Sequence, residues 1–288
     1  MRAQSVLEEE WDWLVVLDAC RYDAFEEIYE EYLDGELQKR RSPASSTPEW
    51  AAKTFTGDHD IAYFSGNPFI NSLGIPLSEL KWGASCDYDW TATDHIAEVF
   101  DLWQESWDDD LGTIPPGNVN EAVRANPAAT ERRDRTVVHY MQPHAPYLQR
   151  GTGRKLKRIR DGISAQAEGD SEEGSETLIG RMSDAARSRI ESTLGDSSLA
   201  MRVGMWAELD ADSLPAVGSE GSKRTLRRYY DENLRLVLES VRELIDELDG
   251  TVVVTADHGE AFGEQGVWEH HIETHIPPLV EVPWLRVE

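Results

Sequence analysis

Three short apolar runs, rich in β-branched residues, punctuate the chain: Trp13-Leu-Val-Val-Leu17, Thr136-Val-Val-His-Tyr-Met141 and Thr251-Val-Val-Val-Thr255. Runs this short, with little polar alternation, predict strands buried in a core. Ile61 to Phe64 predicts another, ended by Ser65-Gly-Asn-Pro68. Between these runs the period changes. Ala24 to Leu33 and Asp94 to Trp107 predict helices, and Pro48 suits the first turn of another, fed by the loop Ser42-Pro-Ala-Ser-Ser-Thr-Pro48. Leu226, Tyr230, Leu234, Val237, Val241, Leu244 and Leu248 recur at helical spacing, with Gly250 as C-cap. Strands separated by helices predict an α/β fold whose central sheet carries helices on both faces.

The texture shifts between about Arg150 and Gly221. Gly, Ser, Glu and Asp dominate there, as in Ala167-Glu-Gly-Asp-Ser-Glu-Glu-Gly-Ser175, with one helix-like patch from Leu178 to Leu194. This reads as a polar insertion, a lid or excursion from a single domain spanning 1–288 rather than a second domain.

Charge narrows the partners. The 288 residues include 55 acidic and 28 basic side chains, a formal net charge of -27, and the basic side holds 22 Arg but only 6 Lys. The acid is spread along the chain rather than blocked. It therefore reads as a solvated surface adapted to high salt, where screening removes self-repulsion, rather than as a cation-binding patch. Nucleic acid and anionic membrane are disfavoured as partners. Cys20 and Cys86 are the only cysteines and indicate no disulfide framework. The first strand starts too near Met1 for a signal peptide, and no apolar run approaches the ~20 residues of a membrane helix. A soluble cytoplasmic protein with no integral membrane segment is the expectation.

The chemistry gathers just after the strands. Asp18 follows 13–17, His144 follows 136–141 and Asp257-His258-Gly-Glu260 follows 251–255. In open α/β sheets ligands bind outside the carboxyl ends of strands, so three such deliveries point to one site. Singly they are weaker: Asp18 could cap a helix and His144 could be structural. His270 and His271, a dozen residues beyond Asp257-His258, are equally balanced between surface residues and ligands. Two Asp, one His and a hydroxyl are an oxygen-rich set suited to Mg, Mn or Ca, with Zn possible. A bound cation would lower the pKa of a coordinated hydroxyl and let a Ser or Thr of the 42–48 loop act as nucleophile.

These segments resemble the motifs of the alkaline phosphatase/sulfatase superfamily. Val16-Leu-Asp18-Ala-Cys-Arg21-Tyr-Asp23 is similar to its first metal motif. Ser45-Ser-Thr-Pro-Glu-Trp50, running on to Phe55-Thr-Gly57, is similar to its nucleophile loop. His139-Tyr-Met-Gln-Pro-His144-Ala-Pro-Tyr147 looks like its Pro-His-x-Pro-Tyr segment, and Val254-Thr-Ala-Asp257-His258-Gly-Glu-Ala-Phe-Gly-Glu264 like its second metal motif. His271 with Val282-Pro283 fits its last register. The resemblance implies an alkaline phosphatase-like α/β fold with a central, mostly parallel sheet. It implies a divalent cation held by Asp18, Asp257, His258 and Thr47, and Thr47 as nucleophile. His144 and His271 would contact the transferred group or protonate the leaving oxygen, and Arg21 would offset negative charge nearby or form a surface salt bridge.

Three departures shape the expectation. The Cys/Ser-x-Pro-x-Arg frame of formylglycine sulfatases has Trp50 where Arg is required. The first motif carries Asp18-Ala19 rather than paired Asp, and little chain remains for the small C-terminal subdomain common in sulfatases. Counting back from Thr56-Gly57 selects Thr47, whereas the proline spacing of that frame selects Ser46. The expected activity is a metal-dependent hydrolase or transferase using a hydroxyl nucleophile on a small-molecule, glycan-linked or lipid-linked phosphate or sulfate ester, phosphoester favoured. A sulfatase of the same fold and a non-catalytic, metal-stabilised binding module are the rivals.

Overall fold

The computed structural model describes residues 1–80, 86–149, 153–169 and 220–288. Most of the insertion expected at 150–221, including the patch 178–194, lies outside the described residues. The strands are β1 (Arg2–Ala3), β2 (Trp13–Leu17), β3 (Gly35–Arg41), β4 (His59–Ser65), β5 (Ile96–Asp101), β6 (Arg135–Tyr140), β7 (Val252–Ala256), β8 (Ala261–Phe262), β9 (Trp268–Glu269) and β10 (Glu281–Val287). The helices are α1 (Tyr22–Ile28), α2 (Thr47–Thr54), α3 (Leu102–Glu105), α4 (Pro116–Ala125), α5 (Pro127–Arg132), α6 (Arg154–Ala167), α7 (Glu220–Ile245) and α8 (Pro277–Val280).

Eight strands form one sheet in the order β1-β3-β10-β7-β2-β6-β4-β5, and β8 pairs with β9 in a small hairpin. β10 runs antiparallel to both of its neighbours, and every other pairing within the eight-stranded sheet is parallel. The α/β class with a mostly parallel central sheet is what the sequence predicts.

Both faces of the sheet are covered, which is why its central strands read as unbroken apolar runs. Alternation survives in three dimensions: Val15 and Leu17 of β2 pack in one layer with Phe25, Val119, Tyr230, Leu234 and Val237. Leu14 and Val16 pack in the other with Trp50, Phe55, Tyr63 and Trp103. The stripe on α7 is buried from Leu226 to Leu244, so the periodicity that predicted this helix is also its packing face.

One element departs from expectation. Residues 94–107 are not one helix: 96–101 form edge strand β5, paired in parallel with β4 from His59↔Ile96 to Ser65↔Asp101, and only 102–105 are α-helical. Pairing with a neighbouring strand outweighs local propensity here. β3, Gly-Glu-Leu-Gln-Lys-Arg-Arg, has no apolar signature, and it is a strand because β1 and β10 flank it.

Candidate active site

Four parallel neighbours, β7, β2, β6 and β4, end nearly level. Leu17 sits opposite both Ala256 and Tyr140, and Ser65 opposite His139. The next residues along the chain are therefore delivered side by side: Asp18 after β2, Asp257 and His258 after β7, and Asn67 two beyond β4. α2 points its first residue, Thr47, at the same place. Ser46 is the N-cap and Pro48 occupies the first turn, one position deeper in the helix than a Thr47 cap implies.

The centre is tight and buried. Thr47 Oγ1 donates to Asp257 Oδ2 at 2.7 Å and lies 3.4 Å from His258 Nε2. His258 Nε2 is 3.3 Å from Asp257 Oδ2 and 3.7 Å from Asp18 Oδ1. Asp18, Asp257 and His258 bring their ligand atoms within 4.8 Å of one another. The Ser46 hydroxyl, by contrast, is buried and finds no hydrogen-bond partner.

Asn67 was not singled out by the sequence. Its side-chain amide donates to Asp18 Oδ2 at 2.6 Å and to Thr47 Oγ1 at 3.1 Å, joining the hydroxyl to the first carboxylate. The only local cue was a polar residue in the turn ending a strand. His139, inside β6, is a second unforeseen neighbour. Its Nε2 lies 3.8 Å from Asp257 Oδ2 while its Nδ1 pairs with Tyr63 Oη at 2.8 Å.

Electrostatics separate the two carboxylates. Burial, together with the nearby Asp257 charge, pushes Asp18 well above the usual carboxylate range, although the Asn67 amide opposes this. Burial also acts to raise Asp257, but the imidazoles of His258 and His139 and hydrogen bonds from Thr47 and Ala19 N–H outweigh it and hold Asp257 low. Asp18 Oδ1 and His139 Nε2 are both buried without hydrogen-bond partners. Two carboxylates, an imidazole and a hydroxyl converging beside such orphaned atoms fit a divalent cation, which would supply the missing partner and countercharge.

The backbone around the first motif is strained where the site is made. Ala19 has φ 58°, a left-handed conformation uncommon for alanine, and its N–H donates to Asp257 Oδ1 at 3.1 Å. Tyr230, on α7, holds this turn: its hydroxyl donates to Ala19 O at 2.7 Å and accepts from Arg21 N at 2.8 Å. Gly259 follows His258 because Pro278 O would lie 2.0 Å from any Cβ there. Arg21 is buried rather than a surface bridge. Its donors are taken by Asp23, Glu264 Oε1 at 2.7 Å and Glu260 O at 3.0 Å, which ties the first motif to the second.

His144, Glu260 and His270 form a second group whose ligand atoms also lie within 4.8 Å of one another. The His270 ring centroid is 4.5 Å from that of His258 and 4.9 Å from that of His144, and its Nδ1 is 3.1 Å from Glu260 Oε2. Burial and the neighbouring His270 lower His144 to about 4, while burial raises Glu260 to about 7. Asn233 of α7 fixes the His144 loop, donating to His144 O at 3.1 Å and accepting from Leu148 N at 3.0 Å. His271 is exposed, and its contribution is a backbone carbonyl that lies 2.8 Å from Ser45 Oγ. Of the adjacent pair, His270 is the one whose ring faces the site.

The fold is of the alkaline phosphatase/sulfatase-like kind. The soluble domain of lipooligosaccharide phosphoethanolamine transferase A from Neisseria meningitidis superposes with a TM-score of 0.50 at 10% identity, over 96% of this chain and 76% of that one. The integral membrane form of that transferase gives 0.49 at 10% identity over 96% of this chain, which spans only 47% of its length. A putative sulfatase from Bacteroides thetaiotaomicron gives 0.48 at 13% identity, over 96% of this chain and 63% of that one. No family model matches the sequence, and no curated protein matches it. Among the described residues, no helix is long and apolar enough to cross a membrane.

Proposed function

We propose that the chain is a metal-dependent phosphoester hydrolase or transferase with Thr47 as its nucleophile. The observation that carries this reading is the placement of Thr47 Oγ1, 2.7 Å from Asp257 Oδ2 and 3.4 Å from His258 Nε2, at the start of a helix. Asp18, Asp257, His258 and Thr47 would hold a divalent cation, Mg, Mn or Ca by the oxygen-rich donor set, with Zn also compatible. When bound, it lowers the pKa of the Thr47 hydroxyl and offsets negative charge on the ester oxygens.

Thr47 Oγ1 attacks phosphorus, its hydroxyl already oriented by the hydrogen bond to Asp257 Oδ2, and the hydroxyl proton leaves to solvent. The Asn67 amide, which donates to Thr47 Oγ1, orients the attacking oxygen. The P–O bond to the leaving group breaks as the Thr47–phosphorus bond forms, and His270, paired with Glu260, protonates the departing oxygen. Glu260, raised to about 7, lets the Glu260–His270 pair hold a proton near neutral pH. Water or an acceptor hydroxyl then releases the phosphothreonine ester. Transfer to an acceptor is the activity in the name of one structural neighbour.

Phosphate is favoured over sulfate because the formylglycine frame is filled otherwise. Trp50 stands where that frame has arginine, is fully buried and spends its indole N–H on Gln4 Oε1 at 3.0 Å. The test is a panel of chromogenic phosphomonoester, phosphodiester and sulfate ester substrates, each with Mg, Mn, Ca and Zn in high salt. Turnover of a phosphoester with at least one metal is expected. Sulfate release alone would make the chain a sulfatase, and no turnover in any arm would make it a binding module.

A further inference from the structure

We infer that Glu49 is a positioning residue which, with Ser45, clasps the loop after His270 onto the start of α2 and so fixes that imidazole beside His258 and Glu260. Its role in turnover rests on the reading proposed above, while its role in placing His270 does not. Glu49 is 0% exposed. Its Oε2 accepts from Ser45 N at 2.9 Å and from Glu273 N at 3.1 Å, and its Oε1 from His275 Nε2 at 2.6 Å and Lys53 Nζ at 2.5 Å. Ser45 Oγ accepts from Thr274 N at 2.9 Å and lies 2.8 Å from His271 O and 3.0 Å from Glu49 Oε2, either of which can take its proton.

A buried carboxylate is costly unless donors surround it, and capping explains only one of these donors. The bond to Ser45 N–H is local, reaching the residue before the Ser46 N-cap and standing in for the back-reaching half of a capping box at the start of α2. The bonds to Glu273 and His275 cross 224 and 226 residues of sequence, so they hold a loop rather than a helix end. That loop is not relaxed. Glu269 and Glu273, on either side of His270, have φ of 57° and 56°, left-handed values that are uncommon for non-glycine residues and persist only where the surroundings impose them. The clasp is bonded directly to Glu273. Freed from it, the loop would relax and carry His270 away from Glu260 Oε2 and from the His258 ring.

Ser45→Ala and Glu49→Gln test this as single variants and in the His270→Ala background, using the metal-loaded enzyme and the best ester of the panel. Each is expected to lower kcat by up to about 10²-fold, the effect of misplacing a catalytic group by roughly 1 Å, with metal stoichiometry unchanged. In His270→Ala neither should lower kcat further, because groups acting through one residue are not additive. Equal losses in both backgrounds would overturn the inference. Ser45→Ala keeps the test available if Glu49→Gln fails to fold. The imidazole ¹⁵N–¹H signal of His270 should also shift in both variants while those of His59 and His95, at the far ends of β4 and β5, stay in place. An unmoved His270 signal overturns the clasp whether or not any ester is turned over, and absence of turnover alone counts only against the proposed function.

Discussion

Thr47 Oγ1 lies 2.7 Å from Asp257 Oδ2, a hydrogen bond that joins residues 210 positions apart and binds the first turn of α2 to the end of β7. The hydroxyl one residue earlier, Ser46 Oγ, is buried and unpartnered. Thr47→Ala is therefore expected to lose ~10³-fold or more in turnover and to form no covalent intermediate. Ser46→Ala should leave turnover nearly intact and should not lower stability, since it removes a desolvated group without a hydrogen bond. Mass spectrometry of trapped intermediate distinguishes the two, and a label on Ser46 would reject this assignment.

The same carboxylate tests the cation. Asp257→Ala removes one proposed ligand, the acceptor for Thr47 and the acceptor for the strained Ala19 N–H. Tight metal binding and activity should both disappear while the fold persists in high salt. Retention of full metal stoichiometry by the folded variant, read by elemental analysis, would remove Asp257 from the site.

How far the sequence anticipates this arrangement depends on the kind of signal each part emits. β2, β6 and β7 are buried on both faces, so their composition is unmistakable, and Asp18, Asp257 and His258 follow directly from where those strands stop. β3 and β5 are strands by virtue of their partners, and no property of Gly35–Arg41 or Ile96–Asp101 taken alone discloses a partner. Asn67 and Asn233 are ordinary polar residues in sequence, and they matter only because folding brings them to Thr47 and to the His144 loop. The choice between His270 and His271 turns on the direction of two adjacent side chains in a loop with left-handed φ at Glu269 and Glu273. No hydrophobic periodicity encodes that.

Tyr230 carries the first motif from beneath. Tyr230→Phe keeps the ring in the core but leaves Ala19 O and Arg21 N, both buried, without their partner. Stability should fall by about 1–3 kcal/mol in denaturant titration, the cost of unsatisfied buried groups. Ala19→Gly should be neutral or stabilising by comparison, because glycine adopts φ 58° without the steric penalty. A Tyr230→Phe protein as stable as wild type would show that the turn is held by other means.

Salt dependence follows from composition. At a formal net charge of -27, the folded chain concentrates repulsion that the expanded chain relieves, and screening weakens it. The melting temperature should climb steeply from low to molar salt in metal-free buffer. Indifference to salt would remove the reading of this acidity as high-salt adaptation.

Acid stability provides an independent measure of the Glu49 clasp. Burial acts to raise this carboxyl, but the Lys53 ammonium, the Ser45 N–H, the His275 imidazole and the Glu273 N–H together lower it from an ordinary 4.5 to about 2. A carboxylate held lower in the folded chain than in the unfolded one contributes stability that is fully present above about 4.5. That contribution drains away as pH falls from about 4.5 through about 2, where the folded form must take up the proton that the unfolded form already holds. Glu49→Gln cannot titrate and loses this contribution at every pH. In molar salt, the unfolding free energy of wild type should therefore fall more steeply than that of Glu49→Gln across this window, and the two curves should run parallel above it. Because the Lys53 ammonium is partly exposed, part of the effect is screened, and the difference in slope should be larger in lower salt. Parallel curves through the whole acid range would mean that Glu49 is not held as an ion by these donors, and the clasp would lose its electrostatic basis.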